Sequence, residues 1–125
     1  MVSKFCLNQL ENYLQSNINQ FPIIAVHHPP VSIESKWLDE IALINKDELI
    51  QILNDSFQTP LLLFGHVHQE IDIQLNKIRI LGTPSTCYQF QPNSTTMKRA
   101  NTPPPSYRYV KLSIPNSVET IVYFV

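Results

Sequence analysis

Two short apolar runs, Phe21–Val26 and Leu61–Phe64, each break into a histidine-bearing loop, and all four histidines of the chain, His27, His28, His66 and His68, lie in those two loops. Apolar runs of this length read as strands covered on both faces, the strand type of α/β sheets. A helical pattern precedes each run. From Ser3 as N-cap to about Ser16, apolar residues at Phe5, Cys6, Leu7, Leu10, Tyr13 and Leu14 recur at helical spacing. Between the runs, Trp37-Leu38-Asp39 falls in a loop, and Leu49, Ile50, Ile52 and Leu53 give a second amphipathic helix over Lys46–Ser56. Asn45 is its expected N-cap, with Glu48 three residues on to close a capping box. Helix, strand, loop, helix, strand is the order of an α/β sheet with crossovers.

After Glu70 the pattern changes to antiparallel pairing. Ile71, Ile73 and Leu75 alternate, Asn76-Lys77 turns, and Ile78 and Ile80 continue, which predicts a hairpin opening a second sheet. A long loop from Asn93 to Ser106 leads to a terminal hairpin of Tyr107–Ile114 and Val118–Val125 around a turn at Pro115-Asn116-Ser117. Only two glycines occur, Gly65 and Gly82, so each is expected to hold a backbone position that a side chain obstructs. The fold class is α/β, and residues 1–125 form one partial domain.

Charge and cysteine usage narrow the function classes. A formal net charge of -1 gives no field for holding nucleic acid or an anionic membrane, so neither is an expected partner. No apolar run approaches the roughly 20 residues of a membrane crossing, and the first residues lack a secretory pattern; the expected location is the cytoplasm. Cys6 and Cys87 form no Cys-x-x-Cys pair. Both are expected as reduced thiols, with Cys6 packed in the core.

The histidines carry the chemistry. In α/β sheets ligands bind beyond the carboxyl ends of parallel strands, so two such strands ending in His-rich loops bring imidazoles around one point. Neutral imidazole is the commonest metal ligand and suits zinc, iron or manganese. In Gly65-His66-Val67-His68 an extended backbone places both rings on one side, with Gly65 allowing a tight turn. Taken singly, His-x-His is also an exposed turn, and His27-His28-Pro29-Pro30 a strand end stopped by prolines. Asp39, Asp47, Asp55 and Asp72 show no Asp-x-His or Gly-Asp pattern, so the carboxylates that balance a hydrolytic metal pair are not evident.

Val26-His27-His28-Pro29-Pro30 resembles the fourth motif of the calcineurin-like metallophosphoesterases, and Gly65-His66-Val67-His68 resembles their fifth. Trp37-Leu38-Asp39, Asn45, Glu48-Leu49, Gln69-Glu70-Ile71-Asp72 and Thr83–Phe90 are similar to the bacterial class III 3',5'-cyclic AMP phosphodiesterases; so are the opening helix and Tyr107-Arg108. The resemblance covers nearly the whole chain. It implies the C-terminal half of a four-layer αββα sandwich, a mixed sheet with terminal antiparallel hairpins, and phosphodiester hydrolysis at two divalent metal ions (Mn, Fe, Mg or Zn). By that resemblance His27 and His66 bind one metal and His68 the other. His28 either touches substrate, as the candidate catalytic residue, or packs. Thr83–Phe90 forms a loop near the site, with Gln89 and Phe90 in structural or substrate-contacting roles.

The family's first three motifs, Asp-x-His, Gly-Asp-x-x-Asp and Gly-Asn-His-Asp/Glu, have no counterpart in the sequence. The expected partners are therefore a cyclic nucleotide and a separately encoded N-terminal half. The alternatives are a non-catalytic binding or interaction module keeping a partial His site, and an inactive remnant. A sheet without its neighbours is also expected to expose edges and an apolar face, and so to self-associate.

Overall fold

A computed structural model of the chain describes residues 1–113 and 117–125. Helix α1 (Lys4–Ser16) begins at the predicted Ser3 cap, whose hydroxyl accepts from the Cys6 amide. Strand β1 (Ile23–Val26), the one-turn helix α2 (Lys36–Asp39), helix α3 (Lys46–Asp55) and strand β2 (Leu61–Phe64) follow. α2 occupies Trp37-Leu38-Asp39, where a loop is predicted. It is stabilised from outside its own four residues, because the Asp39 carboxylate accepts from the Ser32 hydroxyl and the Ile33 amide.

β1 and β2 are parallel and in register, with Val26 beside Phe64, so the loops that begin at His27 and Gly65 leave the sheet side by side. β3 (Ile71–Leu75) and β4 (Ile78–Gly82) form the predicted hairpin around Asn76, which takes the left-handed φ of 52° that such a turn needs. The hairpin does not open a second sheet, however. β4 adds parallel to β2, giving one mixed sheet of order β1-β2-β4-β3. Leu61 and Leu81 are fully buried on the face opposite the helices, which is why β4 is better placed inside the sheet than in a separate one.

β5 (Gln89–Phe90) and β6 (Arg99–Ala100) pair inside the segment predicted as a long loop. Two-residue strands leave no readable periodicity. β7 (Ser106–Ser113) and β8 (Ser117–Phe124) make the expected terminal hairpin; of the predicted Pro115-Asn116-Ser117 turn, Pro115 and Asn116 lie outside the described residues.

The core joins Leu7 and Leu14 of α1, Leu49 and Leu53 of α3, Leu62 and Phe64 of β2, and Ile78 and Ile80 of β4. Cys6 and Phe5 are not part of it. Both are exposed, because the buried stripe of α1 runs through Leu7, Leu10 and Leu14. The capping box is also absent: the Asn45 side chain makes no cap bond and instead pairs with both backbone groups of Val2, tying the start of the chain to α3. Glu48 pairs with Lys4.

β1 differs most from expectation. Instead of being covered on both faces, it is an outer strand with alternating exposure, and Ile23 is 46% accessible. Among the described residues no helix is long and apolar enough to cross a membrane.

Candidate functional site

The paired ends of β1 and β2 bring three imidazoles together. His66 Nδ1 lies 3.1 Å from His27 Nε2, so one of these nitrogens donates to the other. The His28 ring centroid is 4.6 Å from that of His66 and 5.2 Å from that of His27. His27 and His28 are exposed, while Pro29 and Pro30 behind them are buried and fix the loop. Leu43 donates its amide to the Pro29 carbonyl, so the stem of α3 holds the same loop from the other side.

The Gly65-His66-Val67-His68 segment is not extended. The Val67 amide donates to the Gly65 carbonyl at 2.7 Å, a three-residue turn centred on His66, and His66 and His68 both have left-handed φ, 65° and 53°. Left-handed φ at a residue with a Cβ costs of order 1 kcal/mol or more, and it persists where surrounding contacts determine it. Here the contact is Val67, whose side chain is fully buried in the core. The turn sends Val67 inward and leaves the flanking imidazoles in separate surroundings.

Neither glycine has a left-handed φ. A Cβ on Gly65 meets nothing closer than His27 Nδ1 at 3.7 Å, ordinary contact, so the expected obstruction does not hold there. On Gly82 it does. A Cβ would stand 2.8 Å from Ile71 and from Phe64, the two residues that flank the 65–70 loop and that Gly82 pairs with across the sheet.

His68 faces a different neighbourhood. Its Nδ1 lies 2.8 Å from the Tyr88 carbonyl oxygen, and since a carbonyl only accepts, Nδ1 carries the proton and the lone pair is on Nε2. Its ring stacks on Phe90 at 4.5 Å and 19°. Thr83–Phe90 therefore does lie against a candidate site residue, as expected. Gln89 is structural: it is 1% exposed and bonds Ser85 N, Ser85 O and Pro104 O, clamping the loop.

Burial lowers the His66 pKa, and the neighbouring His28, His27 and His68 add to the effect, so His66 is held neutral. Its Nε2 is buried with no hydrogen-bond partner among the described residues. A neutral imidazole with a buried unpartnered nitrogen beside two exposed imidazoles fits a cation. The His68 arrangement fits one as well, because metal-binding histidines commonly donate the other ring N–H to a backbone carbonyl. The set is partial: among the described residues no group of three or more His, Cys, Asp or Glu side chains is arranged to hold a metal ion.

Arg108 enters the sequence reading only as part of the family-like Tyr107-Arg108 pair, which gives it no role. Its side chain is 2% exposed, and it donates to the carbonyls of Ile71 and Gly82 and to the Thr120 hydroxyl. It thereby fastens β7 and β8 to the strand ends beside the histidine loop. An arginine alternating with tyrosines in a terminal hairpin carries no local sign of this.

No family model matches the chain. Curated relatives do. The chain is 42% identical over 111 residues to a 3',5'-cyclic-nucleotide phosphodiesterase of Nostoc sp., a match covering 89% of the chain and 41% of that protein. It is 39% identical over 116 residues to a 3',5'-cyclic adenosine monophosphate phosphodiesterase of Pseudomonas aeruginosa, covering 91% and 42%. The corresponding Escherichia coli K12 enzyme is 34% identical over 122 residues, covering 98% and 44%. The chain thus spans well under half the length of each of these relatives. By sequence it belongs to the family of these cyclic-nucleotide phosphodiesterases, within the calcineurin-like metallophosphoesterases, and corresponds to their C-terminal half.

Proposed function

We propose that this chain is part of a metal-dependent phosphodiesterase acting on a 3',5'-cyclic nucleotide, cyclic AMP first, and that it supplies the imidazole side of a two-metal site. The observation that carries this reading is the buried Nε2 of His66, without a hydrogen-bond partner among the described residues, set beside His27 and His28 at the carboxyl ends of two parallel strands. Polypeptide outside the sequence described here, whether joined to it or separately encoded, contributes the carboxylates and remaining ligands. The relatives, more than twice as long as the stretch they share with this chain, leave room for it.

In this reading His27 and His66 hold one divalent cation and His68, through Nε2, the other. An imidazole-rich set suits iron or zinc better than magnesium, while carboxylates supplied from outside would favour manganese. When bound, the two cations lower the pKa of a water and clamp the phosphate oxygens for in-line displacement. The rest is done by side chains. His66 would bind through its Nε2, and the exposed His27 would turn its ring to free the nitrogen that now bonds His66 Nδ1. No side-chain hydrogen bond engages the His28 ring among the described residues, so in this reading its nitrogens hold the scissile phosphate or pass a proton to the leaving oxygen.

A second reading is favoured by the lack of a complete ligand group among the described residues: a module that binds one metal through histidine and catalyses nothing. Hydrolysis of bis(p-nitrophenyl) phosphate and of cyclic AMP with manganese separates the two. It is measured for the chain alone and mixed with the unmatched N-terminal portion of the Pseudomonas aeruginosa relative. The expected result is turnover in the mixture only, lost on His66→Ala. No turnover in either sample, with manganese still bound tightly by the chain, would falsify the enzymatic reading and establish the module.

A further inference from the structure

Trp37 and the Tyr88–Phe90 stretch come from segments far apart in sequence; Tyr88 and Phe90 meet around the His68 imidazole, and Trp37 backs Phe90. Phe90 of β5 is 8% exposed, and its ring lies nearly parallel to that of His68. Trp37 of α2 meets Phe90 edge-on at 4.9 Å and 85°. Tyr88 meets both rings, at 5.2 Å from His68 and 5.5 Å from Phe90, and its carbonyl accepts the His68 Nδ1 proton.

Each of these parts is itself held. Phe90 is paired with Arg99 of β6, Gln89 clamps the preceding loop, and the Ser35 hydroxyl at the start of α2 donates to the Ser94 carbonyl. A stacked ring restricts the plane of an imidazole, and a single acceptor at Nδ1 restricts its tautomer. The exposed His27 and His28 have no such wall. His27 shares its hydrogen bond with another imidazole, His66, which can act as donor or acceptor. His28 contacts only the other two imidazoles among the ring contacts of the described residues. The left-handed backbone at His68 also needs contacts that outweigh its cost, and this wall supplies them.

We propose that Phe90, backed by Trp37, is a positioning residue: it holds the His68 ring against the Tyr88 carbonyl, so that the Nε2 lone pair is presented in a fixed direction before any ligand arrives. The biological use of that lone pair rests on the metal reading above; the positioning itself does not. The device is purely packing and one hydrogen bond, so it operates in the metal-free chain.

The test is a long-range proton–nitrogen NMR spectrum of the full chain labelled with 15N-histidine, at alkaline pH and without metal. A zinc titration followed on the same signals comes next. Wild type is expected to show His68 as a single Nδ1–H tautomer. Phe90→Leu, of similar bulk but without a π face, is expected to show averaged tautomers and zinc binding about 10–100-fold weaker. Phe90→Tyr keeps the stack and should restore both. Circular dichroism melting of each variant identifies any that fails to fold, in which case Trp37→Phe serves as the milder probe of the same wall. A tautomer averaged in wild type, or equally fixed in Phe90→Leu, overturns the proposal. A tautomer fixed by Phe90 supports the positioning whether or not the chain alone binds zinc, because the metal reading places the remaining ligands outside this chain and is decided by the turnover of the mixture.

Discussion

His66 and His68 stand two residues apart and both take a left-handed backbone, yet the chain treats them in opposite ways. His68 is satisfied by its own protein: a carbonyl takes its proton and an aromatic wall takes its ring. His66 has a buried nitrogen without a hydrogen-bond partner among the described residues, and burial, with the neighbouring imidazoles, opposes its protonation. The buried Val67 between them forces the division. One imidazole is held by packing and a hydrogen bond within the chain, and the other keeps a buried nitrogen with no hydrogen-bond partner among the described residues.

The largest expected effect tests whether both neighbourhoods share one foundation. Arg108 donates to the carbonyls of Ile71 and Gly82, and the 65–70 loop spans from Phe64 to Ile71 over Gly82. Arg108→Met fills the volume but leaves two inward carbonyls without a donor, so a loss of about 2–4 kcal/mol is expected in urea unfolding. A variant as stable as wild type refutes the clamp. Gly82→Ala follows. Its methyl meets Ile71 and Phe64 at 2.8 Å, overpacking that costs about 1–3 kcal/mol, whereas Gly65→Ala, with 3.7 Å of room, should change stability by less than about 1 kcal/mol. Equal losses at the two glycines would mean that the 65–70 loop, and not the sheet beneath it, carries the strain.

Much of this architecture was legible from residue pattern. Helices α1 and α3, the parallel pair β1 and β2, the β3–β4 hairpin and the convergence of two histidine loops all follow from periodicity over four or more residues. What could not be read depends on contacts between distant segments. The β3–β4 hairpin looks the same whether it opens a new sheet or extends an old one, and only the parallel register of β4 on β2 decides it. β1 reads as buried because its composition is apolar, but Ile23 and Ala25 face outward at the end of the sheet. Asn45 has a cap's sequence signature and a different partner, Val2. The histidine spacing suggested a common side; the turn at His66 follows from where Val67 finds its core site.

The contrast between the two imidazoles can be turned into opposite signs. Substituting glycine relieves the left-handed backbone equally at both positions. At His66 it also removes a buried unpartnered nitrogen, so His66→Gly should be neutral to stabilising, by up to about 1 kcal/mol. At His68 it removes the stack on Phe90 and the bond to Tyr88, so His68→Gly should destabilise by about 1–2 kcal/mol. Thermal melting of both variants, without metal, gives the comparison. Shifts of the same sign would show that backbone relief dominates and that the aromatic wall contributes little.

The smallest effect lies at the far side of the loop, where Asp72 follows Ile71. The Asp72 carboxylate takes two hydrogen bonds from Arg79, and that pairing lowers its pKa. A carboxyl more acidic in the folded chain binds fewer protons there than in the unfolded one. Its stabilisation is therefore complete above the ordinary aspartate range near pH 4 and fades as the pH falls through the lowered value. At 44% exposure, solvent screening limits the contribution to a few tenths of a kcal/mol. Asp72→Asn should remove this acid-range slope while leaving the His68 tautomer unchanged, because Asp72 bonds Arg79 and His68 bonds the Tyr88 carbonyl, with no hydrogen bond joining the two among the described residues. If the tautomer moved as well, Glu70 and Asp72 would have to be counted as part of what holds the histidine loop, and the independence of the His68 wall from the rest of the sheet would be lost.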